Sequence, residues 1–510
     1  MKIEYKKDLI MKKTLKLITL LIAILFTFPS NAQSNESETI KYEANWKSLQ
    51  QYKVPEWWKN MKFGIYFHFG PYSVPAHKTE WYSHWMYVDG NPIRKYHEQT
   101  YGPLWEFGYK DFIPMFKAEK FNANEWVSLF KQAGAQFVGP CAEHADGFAM
   151  WDSKLTKWDA MDMGPHRDIV GEMEKAVKAQ NLKFLVTFHR QWLYAWYPTW
   201  NKNTDCGNPK YAGLYGPKAP KNAFEMAKGT PVYVPDDKFN QDWLNRLEEL
   251  MDNYNPDLIW FDNRMNLIGE EYRKKFLADF YNKGQERGKQ VVCTYKFHDL
   301  AEGSAVLDLE RSRMNEKKQF PWLTDDSIDW NAWCNVSNPD YKTTNRMIDF
   351  IVDVVSKNGA VLLNVTPTAE GVIPEGVKER LLAIGKWFKI NGKAIYGSRP
   401  WKIYGEGPQK IVEGHLSERQ NGESCAQDIR FTTKDGNLYA FALDWPKNNT
   451  VIIKSLAKSK GLISKIKSVK MLGYSGSIKW KLTEEGLIIN FPNKEKVCSF
   501  DAYAFELKVK

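Results

Sequence analysis

Two carboxylates in this 510-residue chain each follow a short apolar run. Asp262 closes Leu258-Ile259-Trp260-Phe261, and Glu310 follows the run from Ala305 to Leu309. Paired carboxyl groups at strand ends suit glycoside hydrolysis by double displacement. One attacks the anomeric carbon; the other protonates the leaving oxygen and then deprotonates water, with the two about 5–5.5 Å apart. Opposed surroundings would keep Asp262 ionised and Glu310 protonated near neutral pH. His68, His144 and His189 also follow apolar runs, and imidazoles there can donate hydrogen bonds to sugar hydroxyls. The same trio suits a metal-dependent hydrolase, because zinc gathers His and Asp ligands. The first of these runs, however, ends without His-x-His, and no His-Glu-x-x-His helix follows. The expectation is therefore an enzyme without metal or cofactor. Each residue also has a plain structural reading: Asp262 could cap a helix, the histidines could be satisfied core groups, and a sugar-binding protein without turnover could share the same fold.

The elements that must position these groups repeat. Apolar runs at 63–68, 137–143, 183–188, 258–261, 290–294, 305–309 and 360–363 read as strands. Amphipathic segments at 124–133, 167–180, 240–254, 271–283, 345–357 and 375–389 read as helices. Continuous apolar strands between helices indicate a parallel sheet covered on both faces. Polar residues recur where those strands stop: His68, His144, His189, Asp262, Glu310 and Asn364. In a closed (β/α)8-like TIM barrel they converge on one rim, where the chemistry of that fold takes place. Seven strands are legible, and residues 308–333 must hide the eighth or lack it. Beyond Gly397 the pattern changes to short alternating runs separated by turn signals such as Asp435-Gly436-Asn437, which reads as an antiparallel β-sandwich. The domains are thus 33–396 for the barrel and 397–510 for the sandwich.

Residues 1–32 read as a signal peptide. Lys12, Lys13 and Lys16 precede the apolar stretch 17–28, and Ser30-Asn31-Ala32 offers a small-x-small cleavage pattern. That stretch is too short to insist on a membrane span, so the expected location is secreted or periplasmic, without membrane insertion. The leader holds six Lys and two acids, +4 of the formal +10, which leaves +6 for the remainder. No basic block marks a nucleic-acid binder. Six scattered cysteines lack a Cys-x-x-Cys pair, which argues against zinc-ribbon or redox chemistry. Cys141 and Cys293, inside expected strands, read as buried thiols. Aromatic residues make up 15 %, with 21 Trp, several beside turn residues. Sugar rings present flat C–H faces to such side chains, so the composition leans toward carbohydrate.

Several segments, in order, resemble the α-L-fucosidases of glycoside hydrolase family 29. They are Phe63-Gly64-Ile65-Tyr66-Phe67-His68-Phe69-Gly70-Pro71, Glu80-Trp81-Tyr82, Glu143-His144-Ala145-Asp146-Gly147-Phe148, Pro256-Asp257-Leu258-Ile259-Trp260-Phe261-Asp262, Ser356-Lys357-Asn358-Gly359 and Ile395-Tyr396-Gly397. The resemblance implies a retaining, exo-acting enzyme on a fucosylated glycan or oligosaccharide. It implies Asp262 as nucleophile and sugar contacts by His68, Glu80, Trp81 and His144, with Trp333 packing against the sugar. Glu310 is the expected acid/base because it ends a strand, and Glu302 is the second choice. The family signature pairs two histidines where this chain has His144-Ala145, which implies that one hydrogen bond to the sugar is either missing or supplied by another residue, with His189 the candidate. It also leaves open an L-galactoside or a sulfated fucoside, for which Arg311 and Arg313 could hold the anion.

Overall fold

The computed structural model describes residues 40–224 and 234–510. The expected leader, 1–32, lies outside the described residues. Eight parallel strands close into a barrel: β1 (Phe63–Phe67), β2 (Phe137–Glu143), β3 (Lys183–Phe188), β4 (Leu258–Phe261), β5 (Val292–Lys296), β6 (Val306–Asp308), β7 (Trp322–Ser327) and β8 (Gly359–Val365), with β8 paired to β1. The eighth strand hidden in 308–333 is β7. The barrel wall carries α1 (Ala123–Gln132), α2 (Ile169–Ala179), α3 (Asp237–Tyr254), α4 (Glu270–Glu286), α5 (Thr344–Ser356) and α6 (Glu375–Asn391). No helix separates β5 from β6 or β6 from β7. Side chains capped the expected way start several helices: Asp168, Asp236 and Thr343 each accept a hydrogen bond from a first-turn backbone N–H.

Alternation along the strands sorts the core. In β1, Phe63, Ile65 and Phe67 join the layer between strands and helices, while Tyr66 packs inside the barrel. In β4, Ile259 and Phe261 face the helices, while Leu258 and Trp260 join Tyr66, Phe137, Leu185, Val292, Val306, Leu323 and Leu362 in the interior. The barrel is a packed core rather than a channel. Packing is tight enough that a Cβ on Gly139 of β2 would stand 1.6 Å from the Leu185 carbonyl oxygen.

The C-terminal part forms two antiparallel sheets. One holds β9 (Arg399–Glu406), β10 (Ile429–Lys434), β11 (Asn437–Ala442), β13 (Ile466–Met471) and β16 (Tyr503–Val509); the other holds β12 (Thr450–Ile453), β14 (Lys479–Leu482) and β15 (Leu487–Asn490). They enclose a second core that includes Phe431, Ile453, Leu487 and Phe505. All six cysteines are free thiols, and Cys141 and Cys293 are buried as expected. No helix among the described residues is long and apolar enough to cross a membrane.

α5 is buried from Arg346 to Ser356 because the barrel covers one side and the C-terminal sheet the other. Its Asp353 is fully buried, bonded to Lys357 Nζ at 2.8 Å and to Arg430 of β10, with Arg313 at 3.6 Å. Burial pushes this carboxyl up, but Lys357, Arg430 and Arg313 outweigh burial and hold it far below the ordinary range. Removing it strands three cations. Asp353→Ala should therefore lower unfolding free energy by about 3–5 kcal/mol, read by urea denaturation at neutral pH. Because the folded value is depressed, the wild-type contribution is complete above about pH 4 and fades only in stronger acid.

Candidate active site

Strand parity aims the functional groups. Every second side chain points into the barrel, so the series Tyr66–His68, Thr187–His189, Trp260–Asp262, Thr294–Lys296, Asp308–Glu310, Leu323–Asp325 and Leu362–Asn364 rises from the packed interior to the mouth. β2 is the exception. Its register against β3 shifts between Cys141 and Glu143, which turns Glu143 outward to a fully buried site beside Arg190 and Arg246 and leaves His144 facing in. A cavity of about 620 Å³ lies over this mouth. It is lined by His68, Glu80, Trp81, His144, His189, Trp260, Asp262, Lys296, Glu310, Asp325 and Trp333, among others. Every expected site residue is in that set. Glu302 is exposed and does not line the cavity; Asn364 belongs to β8 rather than ending it and supports His68 from behind.

Asn364 Oδ1 accepts from the His68 backbone N–H at 3.1 Å and sits 2.8 Å from His68 Nδ1. Its amide group donates to Ser327 Oγ and the Trp333 carbonyl at 3.0 and 2.7 Å. That fixes the amide orientation, places the imidazole proton on Nδ1 and leaves Nε2 with a lone pair. Burial lowers the pKa of His68 to about 4, and burial together with the neighbouring imidazoles lowers His144 and His189 well below the usual range. The trio is neutral at physiological pH. His68 thus presents an acceptor to the cavity at Nε2. His68 packs edge to face on His144 and on His189, the latter two are tilted with centroids 4.7 Å apart, and one nitrogen from each of the three lies within 4.8 Å of the others. Tetrahedral zinc, with bonds of about 2.0–2.1 Å, needs nitrogens roughly 3.4 Å apart, a spacing inside that limit, so these three residues could hold a metal ion.

Glu80 is buried, which raises its pKa, and accepts the Trp333 backbone N–H at 3.0 Å. Trp333 carries the Arg311 guanidinium 4.5 Å from its ring centre. Trp81 packs against Trp192 and Trp196, with centroids 4.9 and 4.6 Å away. The cavity thus has aromatic walls and a polar floor, as a site for an amphipathic sugar ring requires.

The floor is organised by Lys296, whose ammonium is 1 % exposed. Nζ lies 2.7 Å from Glu310 Oε2, 3.1 Å from Asp325 Oδ1, 3.6 Å from Asp262 Oδ1 and 3.7 Å from Asp308 Oδ2. Trp260 Nε1 donates to Asp308 at 2.9 Å and Tyr66 OH to Asp325 at 3.2 Å. Burial and Asp325 push the Asp308 carboxyl far up. Burial raises Asp262 to about 7; Lys296 opposes this and Glu310 adds to it. Burial also pushes Glu310 up, but Lys296, His415 and Arg311 outweigh it and hold Glu310 below its ordinary value. The sequence reading had placed the proton the other way round. Lys296 stands closer to Glu310 than to Asp262, and His415 and Arg311 add to the hold on Glu310.

Sequence reasoning missed Lys296, Asp308, Asp325 and Tyr66. It stopped at one polar residue per strand, whereas alternation carried two residues past Thr294 and Leu323 would have reached Lys296 and Asp325. It also missed His415, Leu416, Glu418 and Arg419, which line the cavity from the C-terminal part and carry no periodic signal. Removing the ammonium should raise every carboxyl around it. In Lys296→Met, titration of the Asp and Glu side-chain carboxyls by carbon NMR should show Asp262 and Glu310 both protonating at higher pH than in wild type.

With this geometry established, comparison with known proteins is informative. Residues 29–393 match the sequence profile described as Alpha-L-fucosidase, and residues 420–510 that of the Alpha-L-fucosidase C-terminal domain. Residues 394–419 fall between the two. The chain is 30 % identical over 480 residues to the tissue alpha-L-fucosidase of Rattus norvegicus, covering 92 % of each chain. Among solved structures it resembles Thermotoga maritima alpha-fucosidase in complex with fucose, with TM-score 0.70 and 27 % identity over 91 % of this chain and 100 % of that one. The same enzyme with a mechanism-based inhibitor superimposes with TM-score 0.72 and 27 % identity, over 91 % of this chain and 99 % of that one.

Proposed function

The chain belongs to the α-L-fucosidase family, and from that premise we propose that it removes terminal α-L-fucosyl residues from glycans by double displacement, with Asp262 as nucleophile and Glu310 as acid/base. The observation that carries this reading is the spacing of the two carboxyls. Asp262 Oδ1 and Glu310 Oε2 lie 3.6 and 2.7 Å from one nitrogen, so at most the sum, 6.3 Å, separates them. That admits the roughly 5–5.5 Å of a retaining pair and falls short of the about 6.5–9.5 Å that leaves room for an inverting water.

The two carboxyls have opposed surroundings: burial raises Asp262, whereas Lys296, His415 and Arg311 hold Glu310 below its ordinary value. Double displacement needs one ionised and one protonated carboxyl. The free site favours the proton on Asp262, so substrate binding must reverse that preference and place it on Glu310. His68 Nε2, Glu80 and His144 reach the sugar hydroxyls, and Trp333 and Trp81 face its C–H surface. Ala145 is buried away from the cavity, while His189 lines it and takes over the contact the second histidine would make.

Plain fucose is favoured over a sulfated sugar. Arg313 is buried against Asp353, and the Arg311 guanidinium is committed to the carbonyls of Asp329, Trp330 and Ala332. Secretion to the periplasm or medium is part of the proposal and rests on the charge and apolar pattern of residues 1–32. Intact mass of the exported protein should place its N-terminus after Ala32.

Release of nitrophenol from para-nitrophenyl α-L-fucoside tests the assignment. Asp262→Ala should lose at least about 10³-fold in kcat while retaining its fold, and azide should restore turnover with an inverted azide product. Glu310→Gln should lose about 10²–10⁴-fold on fucosides with poor leaving groups and far less on α-L-fucosyl fluoride, which needs no proton. Wild-type-like turnover by Asp262→Ala would remove it from the mechanism. The imidazole trio gives a metal-dependent reading its one foothold; loss of turnover in a chelator would favour it.

A further inference from the structure

The segment joining β9 to β10, residues 407–428, leaves the C-terminal sheet and reaches the barrel mouth. It docks through two backbone hydrogen bonds on the stretch that carries Glu310: Leu416 N–H donates to the Glu310 carbonyl at 3.0 Å and Glu418 N–H to the Arg311 carbonyl at 2.9 Å. Lys342 clamps it from β7's side, with Nζ 2.6 Å from both Glu418 and Asp326. Ser417 and Ser312 hydroxyls meet at 2.7 Å. The loop is thus as firmly placed as the barrel rim itself.

Three side chains at this junction, His415, Phe297 and Leu416, lie outside both buried cores. His415 stands with Nε2 3.7 Å from Glu310 Oε2 and its ring centre 4.9 Å from that of Phe297. Phe297, directly after Lys296, is 50 % exposed, and Leu416 is 52 % exposed on the cavity wall. Both hold left-handed backbone, with φ of +51° and +58°, a conformation that costs bulky residues free energy and persists where surroundings impose it. Large apolar side chains held in strained backbone toward water, around one functional carboxyl, are what a binding rim requires and what a folding core does not.

We propose that the C-terminal domain builds the leaving-group subsite of this enzyme, with Phe297, His415 and Leu416 receiving a pyranose ring on the aglycone side of Glu310. The occupant follows from position. The acid must touch the glycosidic oxygen, so whatever is attached to that oxygen lies against the groups bordering Glu310. A flat aromatic face, an apolar branch and a hydrogen-bonding imidazole suit a sugar, with C–H groups on its face and hydroxyls on its edge. The inference rests on the assignment of Glu310 as acid. It adds that substrate choice is set partly by residues outside both regions that match the family.

The test compares α-L-fucosyl-galactose, in its common linkage isomers, with α-L-fucosyl fluoride, whose leaving group is too small to reach the rim. In Phe297→Ala and Leu416→Ser the ratio of kcat/KM for the best disaccharide to that for the fluoride should fall at least about tenfold. A ratio within about twofold of wild type, or an equal loss on both substrates, would overturn the subsite. So would a wild type that hydrolyses the fluoride but none of the disaccharides. Failure of wild type on the fluoride itself would instead sink the fucosidase assignment. Leu416 is exposed, so its variant carries the test should Phe297→Ala fold poorly.

Discussion

One ammonium group surrounded by four carboxyls is the constraint on which the rest depends. Lys296 comes from β5, Asp262 from β4, Asp308 and Glu310 from β6, and Asp325 from β7. Such a cluster exists only when those four strands are paired in register. It does little for stability, since removing charges from water costs about as much as their attraction returns. The free energy that assembles it comes from the interior packing of Tyr66, Trp260 and their neighbours and from the helix-facing layer. What the cluster gains is control over protons. With one cation among four acids, the acids cannot all ionise, and the shared protons titrate as properties of the set rather than of single residues.

Much of this was legible in the sequence. Continuous apolar runs between amphipathic segments gave the barrel, and the polar residue closing each run gave His68, His144, His189, Asp262 and Glu310. What failed did so for identifiable reasons. β7 reads Trp-Leu-Thr-Asp-Asp-Ser, and its last three residues are polar because they face the site or its supports. Strand propensity therefore fails where function begins. His144 reads as the residue closing β2, but its inward aim rests on a register shift in that strand, which no pattern of residue types announces. The seat of the proton depends on differences of about an ångström between Lys296 and its partners.

The C-terminal loop escaped for another reason. Residues 407–428 show neither period, and their order comes from partners far away in sequence: Glu310 and Arg311 beyond β6, Lys342 before α5 and Arg346 within it. A loop of that kind acquires meaning only once the domain bearing it is fixed. Asp353 between Lys357 and Arg430 supplies that anchor, tying β10 to α5. The loop is thereby held at two places, at its root by a buried ion cluster and at its tip by backbone pairing beside the acid.

That double attachment answers a demand of the chemistry. In double displacement the same carboxyl works twice, first on a sugar leaving group and then on a water that takes its place. The wall beside it must hold a ring firmly in the first step and admit water in the second. A closed barrel wall of packed helices could do the first and would hinder the second. A rim of half-exposed side chains, Phe297 from the barrel and Leu416 from a loop of the second domain, does both. In the proposed subsite the ring would have faces to lie on, and its departure would leave Glu310 facing the cavity.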